Sequence, residues 1–378
     1  MDWRTFKTKF EKRLNLQDPN YLEIIFATAL AHRIPGDPVW LFWISQSGGG
    51  KTEVLRTFQK VPDTKYVESV SDKTFISHFH SKEDKSLIRL LDKKCLIIKD
   101  FTTIMSLRPE IRAKVFADFR AAYDGFVSSH SGLGGKEYQV KFGVLAGVTP
   151  IIEEKRTLQT ALGERFLFLK TITEKEKRKD KIRASMVYST MQHKMREELK
   201  ELTADMMASA STNVNFHVGK DQGEWFVRMA EILAQMRAHV PRDSYRRQDI
   251  IDEPKMELAT RIVAQLMRLF QALRILVEKD DALRATARIV KDSIPSTRAK
   301  MVEYAYKNKK LNITDYPSVL SYNTLRLHAD DLVALGVFSR EGDSESYIYR
   351  LEKDLVDDVA GLFGGEKELR KQRPGMWE

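Results

Sequence analysis

Val39-Trp40-Leu41-Phe42-Trp43-Ile44-Ser45-Gln46-Ser47-Gly48-Gly49-Gly50-Lys51-Thr52 is the stretch that decides the fold. Its first half is an unbroken apolar run, as a strand buried on both faces requires. Its second half is a glycine-rich turn ending in Lys-Thr, and a helical pattern follows from about Thr52 to Gln59. Strand, glycine loop and helix in that order make a phosphate-binding P-loop. The glycines let backbone N–H groups curl around the β- and γ-phosphates, and the helix start adds partial positive charge. Ser47, Gly48, Gly49, Gly50, Lys51 and Thr52 are then the nucleotide-binding residues. Lys51 bridges the β- and γ-phosphates and the Thr52 hydroxyl ligates Mg²⁺, so ATP and Mg²⁺ are the expected cofactors. Ser45 stands where the usual motif has its first glycine, a position a serine can occupy sterically.

On either side of this stretch the pattern is that of an α/β protein. Apolar runs at Thr64–Val70, Cys95–Ile98, Phe142–Val148 and Phe166–Leu169 read as further strands, with helices between them, notably Arg108–Tyr123. Strands alternating with helices indicate a parallel sheet covered on both sides. Upstream, Trp3, Phe6, Phe10 and Leu14 share one helical face over residues 2–15, and Asn20–His32 reads as a second helix closed by Pro35-Gly36-Asp37-Pro38. Beyond about residue 172 strand signals nearly vanish until about 337. Glu174–Ala210 reads as helical and opens with Lys175, Lys177, Arg178, Lys179, Lys181 and Arg183; Ser211–Gly223 reads as a loop, Glu224–Ala238 and Glu253–Glu278 as helices. The expected organisation is an N-terminal helical segment (1–36), an ATPase core (37–172), a helical region (173–282), a small C-terminal domain (283–354) and a charged tail (355–378).

A second nucleotide motif is Cys95-Leu96-Ile97-Ile98-Lys99-Asp100. A carboxylate at the end of a buried strand beside the P-loop strand would hold Mg²⁺ through water, and Asp100 is that candidate. The next residue is Phe101, so the base that orients the attacking water is not evident. Glu68, near the end of the Lys65–Glu68 strand, is one candidate for it. Asp100 itself is another, and an exposed strand-end carboxylate is the plain alternative for Glu68.

The order of these features resembles the AAA+ ATPases. The resemblance covers about residues 30–172 and implies a P-loop AAA+ core with a parallel sheet, followed by a helical lid. It implies that Thr149, in Val144–Pro150, is the sensor-one polar residue facing the lytic water or the γ-phosphate. Arg165, in Leu162-Gly163-Glu164-Arg165-Phe166, takes the arginine-finger position of minichromosome-maintenance and related helicases. Such a finger acts on the γ-phosphate of a neighbouring subunit, so the chain is expected to form a homo-oligomer, a hexameric ring. Arg261, in Ala259–Leu266, matches sensor two of the lid, where a solvated helix Arg is the plain alternative. Residues 126–142 read as two extended runs around a Gly-rich tip, a β-hairpin. Its place is similar to that of the pre-sensor-one hairpin of superfamily-three and minichromosome-maintenance helicases. In those rings a basic tip residue grips DNA in the channel; Lys136 would be that residue, with His130 and Lys141 nearby.

At the C-terminal end, Ser296–Lys307, Tyr322–Leu335 and two short strands around Glu341-Gly342-Asp343-Ser344 resemble a winged helix-turn-helix. In DNA-binding versions the second helix enters the major groove and the wing touches the backbone. Arg326, His328 and Arg340 could face duplex DNA, while Asp330, Asp331 and Glu341 dilute the positive surface; winged helices also bind proteins.

Composition sets the outer limits. The 378 residues carry 63 Lys plus Arg against 53 Asp plus Glu, a formal charge of +10 that favours a polyanionic partner. The single cysteine, Cys95, excludes an intramolecular disulfide and a Cys-rich zinc site. No apolar stretch is long enough to span a bilayer, and Met1-Asp2-Trp3-Arg4 does not start a signal peptide, so a cytoplasmic location and no membrane partner are expected. His78 and His80 have no carboxylate or cysteine frame for a metal. The function expected is an ATP-dependent DNA helicase or translocase of phage or mobile-element type, with single-stranded DNA in its channel. The alternatives are a helicase loader or DNA-bound regulatory ATPase without unwinding activity, and a protein-remodelling ATPase.

Overall fold

The computed structural model describes residues 1–14, 20–71, 75–77, 84–131, 134–154, 162, 164–171, 192–211, 218–243, 245, 249–343 and 347–364. The chain forms two compact units: Met1–Phe216 with Met267–Ala285, and His217–Leu266 with Thr286–Glu378. His78, His80, Gly163, Ser344 and the basic cluster from Lys175 to Arg183 lie outside the described residues, as does most of the tail.

In chain order the first unit opens with helices α1 (Trp3–Leu14) and α2 (Tyr21–Leu30). Then come β1 (Trp40–Ser45), α3 (Lys51–Arg56), β2 (Thr64–Val67), β3 (Cys95–Ile98), α4 (Thr102–Met105) and α5 (Pro109–Tyr123). A hairpin of β4 (Phe126–Ser131) and β5 (Gly134–Gln139) precedes β6 (Gly143–Val148), α6 (Ile151–Glu154), β7 (Leu167–Thr171) and α7 (Gln192–Ser209). Among the described residues β1, β2, β3, β6 and β7 form one parallel sheet, ordered β2-β3-β6-β1-β7. Every residue of β1, β3 and β6 is buried, which is why these strands are unbroken apolar runs without alternation. Trp40, Phe42, Phe101, Phe119 and Phe166 pack beneath the sheet, with Phe42 and Phe166 stacked at 3.8 Å between ring centroids. The apolar face of α1 is filled by Trp3, Phe6 and Phe10, which gather around Phe26 of α2.

The sheet and the first loop helix differ from expectation. The strand carrying Asp100 does not lie beside the P-loop strand, because β6 is inserted between β3 and β1. The helical phase after Lys51 is also short: α3 ends at Arg56 and tightens into a 3₁₀ turn, Thr57–Lys60, where the Thr57 hydroxyl bonds back to the Val54 carbonyl.

The second unit is built on α8 (Lys220–Arg237), the first part of α9 (Thr260–Leu276) and the end of α10 (Lys279–Ser293). It continues with α11 (Ser296–Asn308), β8 (Leu311–Asn312), α12 (Tyr322–Ala334), β9 (Phe338–Glu341), β10 (Ile348–Leu351) and α13 (Val356–Phe363). Residues 253–258, expected to be helical, adopt neither helix nor strand. Pro254 disfavours the helical region for Glu253 and supplies no N–H. Conversely α8 begins at Lys220 and carries Gly223 within it, so the loop before it is shorter than expected. Position 283, expected at a domain boundary, falls inside α10. The expected two-stranded wing is a three-stranded sheet, ordered β8-β10-β9. Arg298 of α11 is fully buried, donating to the carbonyls of Met236 and Ala238 at the end of α8 and to Asp331 of α12 at 3.0 Å. Arg242 holds the other oxygen of that carboxylate.

Candidate active site

The glycine loop leaves the carboxyl end of β1 at Ser45. Gly48 (φ +76°) and Gly50 (φ +89°) occupy the left-handed region that side chains resist, so the turn needs glycine there. Gly49 N–H donates to the Gln46 carbonyl at 3.1 Å, and α3 starts directly at Lys51. The Lys51 ammonium folds back onto the carbonyls of Ser45 and Gln46. It is aimed into the loop, where an anion would lie. Burial draws its pKa down to about 8, opposed by the carboxylate of Asp100. A half-buried lysine at a glycine turn on a helix start, with the Asp100 carboxylate nearby, fits a triphosphate with a divalent metal.

The neighbouring strands deliver the rest. The pairing Ile44↔Val148 puts Thr149 level with Ser45 on the adjacent strand, at the entry to the loop. Ile98 pairs with Ala146, so Asp100 lies level with Val148 at the same carboxyl edge. Asp100 accepts the Thr102 N–H at 2.9 Å, and the Thr102 and Thr149 hydroxyls are 3.3 Å apart. Phe101 N–H donates to the Gly147 carbonyl at 2.7 Å, fixing the height of Asp100 against β6. Lys51, Thr52, Asp100 and Thr149 therefore lie at one edge of the sheet.

Glu68 lies beside Asp100, on the side away from the glycine loop. Strand β2 lies three positions from β1, roughly 14 Å at the usual spacing. The Glu68 carboxylate is 68% exposed and is held by Lys99 at 2.6 Å. Its strand neighbour β3 carries Asp100, whose N–H donates to the Glu68 carbonyl at 3.4 Å, so Glu68 shares the carboxyl edge while its carboxylate is engaged by Lys99 and not by the loop.

Arg165 precedes β7 at the amino end of the sheet. Pairing of Leu41 with Leu167 sets it level with Val39, six residues below Ser45, roughly 20 Å along the strand. Its guanidinium is buried over the Tyr123 ring and bonds Asp124 at 2.9 Å. Lys136 is not at the hairpin tip. The register sets it inside β5, opposite Ser129. Its ammonium is bound by Asp84 at 2.7 Å and by the Ser77 carbonyl, while Lys141 lies 3.6 Å from Asp37. Asp84 also accepts from Tyr138 and Ser86. Although partial burial works to raise its pKa, the hydrogen bonds from Lys136, Tyr138 and Ser86 hold it well below the carboxylate range.

The remaining expected residues belong to the second unit. Arg261 lies on α9, one turn after Glu257 and 3.9 Å from it. Arg326 and Arg340 both stack on Tyr347 and both engage Asp330, at 3.8 and 3.1 Å.

Two residues escaped the sequence reading. Thr102 joins Asp100 to Thr149, and its signal was the Asp-x-Thr spacing that favours a local turn. Arg196 of α7 grips Glu53 of α3 through two bonds of 2.7 Å. Nothing local marks it, because the partners are 143 residues apart. No protein-family model matches the chain, and no curated protein matches it.

Proposed function

We propose that the chain is an ATP-hydrolysing, ring-forming DNA translocase of the AAA+ type, with Met1–Phe216 supplying the ATPase core. One observation carries the reading: Lys51 turned into a glycine loop at the carboxyl end of β1, with Asp100 and Thr149 at the same edge. Ligands of open α/β sheets sit at that edge, where neighbouring connections diverge. Thr52 and Asp100 would hold Mg²⁺, which neutralises charge on the β- and γ-oxygens. Lys51 would bind the phosphate oxygens, and Thr149, oriented by Thr102, would position the attacking water. Asp100 remains the candidate base within this crevice.

Arg165 cannot serve its own loop, since the length of the sheet separates them. As a finger it acts on a second copy, leaving Asp124 for the phosphate. The helices of the second unit would form the lid that carries Arg261. Its last helices and three-stranded sheet would be a winged helix, with Arg326 and Arg340 as duplex contacts. The hairpin with Lys136 and Lys141 would meet single-stranded DNA in the channel.

Hydrolysis of ATP with and without single-stranded DNA tests the reading. DNA should stimulate hydrolysis by the unaltered chain, and Lys51→Ala should abolish it; intact stimulated hydrolysis in the variant would end the proposal. Stimulation without strand separation on a forked duplex would select the loader or regulator instead.

A further inference from the structure

The second unit contains an open groove of about 750 Å³ between α8, residues 256–263 and the start of α13. Its floor includes Val227, Ile232, Val263 and Leu355, with Met256 and Leu258 along one side. Three of the large apolar side chains that the chain leaves exposed line it: Val227 (39%), Met256 (54%) and Leu258 (80%). Clustered apolar exposure of this kind marks a contact surface rather than scattered surface chance.

The display is fixed by a buried ion pair. Glu257 turns inward to Arg237, which is only 8% exposed, and its carboxylate accepts the Arg237 Nε–H at 2.8 Å. Glu257 is half-buried while its neighbours on both sides, Met256 and Leu258, are exposed. Residues 253–258 have no helix or strand that would otherwise need those side chains.

The rim is acidic on a chain whose net charge is +10. Beside the neutralised Glu257, the groove is lined by Glu231, Asp354 and Asp358 with one cation, Arg228, which lies 3.9 Å from Asp358. Glu231 and Asp354 make no ion pair among the described residues. Along α8 the groove runs from Val227 to Gln235, roughly 12 Å, the rise of about two helical turns. We propose that this groove receives two turns of a cationic amphipathic helix from a partner protein. Apolar side chains at i and i+3 or i+4 would enter between Val227 and Leu258, and flanking Lys or Arg would meet Glu231 and Asp354. The nucleotide reading is not needed for this inference.

The test uses the full chain and a fluorescein-labelled Leu/Lys amphipathic helix of about four turns, with a Leu/Glu twin. Anisotropy at about 0.15 M salt should show saturable binding of the Lys peptide, at least tenfold tighter than the Glu peptide. Leu258→Lys and Glu231→Lys, both at exposed positions, should each weaken it at least tenfold while circular dichroism stays unchanged. Equal binding of the two peptides, or affinity that ignores both substitutions, would overturn the proposal. So would sedimentation showing that Leu258→Lys breaks an assembly of the chain while the Lys peptide fails to bind, since a second copy would then be the occupant.

Discussion

At Lys51 the requirements of folding and binding oppose each other. The folded chain buries its ammonium, and its pKa falls to about 8 from an ordinary 10.5. The unfolded chain therefore binds the extra proton between those values, and Lys51 subtracts stability below about pH 8, with the loss fading as pH rises toward 10.5. A bound triphosphate reverses the preference, because its negative charge favours the protonated form. Calorimetry near pH 8.5 in buffers of differing ionisation enthalpy should show uptake of most of a proton per ATP. Near pH 6.5 the uptake should vanish, and no uptake at either pH would mean that Lys51 does not meet the phosphates. Thr149 makes a separate case. Thr149→Ala should leave nucleotide affinity unchanged and slow hydrolysis on the order of 10²-fold, read from single-turnover rates. The loop itself was legible in sequence because glycine, lysine and threonine must be contiguous there. The grip of Arg196 on Glu53 was not, because only the packing of α7 against the 3₁₀ turn after α3 brings them together.

Between elements, the hairpin forms as expected while its register moves the basic residue. Extended runs around glycines correctly implied β4 and β5, but the register moved Lys136 off the tip and onto Asp84. That carboxylate occupies the ammonium a DNA phosphate would need. Asp84→Asn should release it, raising affinity for single-stranded DNA and steepening the salt dependence by about one counterion. Unchanged affinity and slope in a filter-binding titration across salt concentrations would remove Lys136 from the DNA contacts. The strands of the main sheet were legible to within a few residues, since burial on both faces writes them as continuous apolar runs. Their order was not, because nothing in a parallel strand names its neighbours, and so β6 came unannounced between β3 and β1. Residues 253–258 differ from the helix expected over 253–278 for a local reason: Pro254 disfavours helical backbone before it, and Glu257 is drawn to Arg237.

For the whole molecule, two units imply two stabilities. In the second, Arg298 and Arg242 share Asp331 in a buried network whose removal leaves charge without a partner. Arg298→Met should destabilise that unit by about 3–5 kcal/mol, seen in urea as an earlier transition while nucleotide binding by the first unit persists. A single transition that does not move would show that the network contributes nothing. No described helix is long and apolar enough to cross a membrane, and the account needs none. Arg165 and the glycine loop lie at opposite ends of one sheet, so an arginine finger requires a second copy of the chain. The decisive measurement mixes two variants, Lys51→Ala and Arg165→Ala, in equal amounts and follows ATP hydrolysis. Each alone should be inactive, and the mixture should recover a measurable fraction of the activity, because some interfaces pair an intact loop with an intact arginine. Full activity of Arg165→Ala alone, or a mixture as silent as its components, would contradict a triphosphate split where two copies meet.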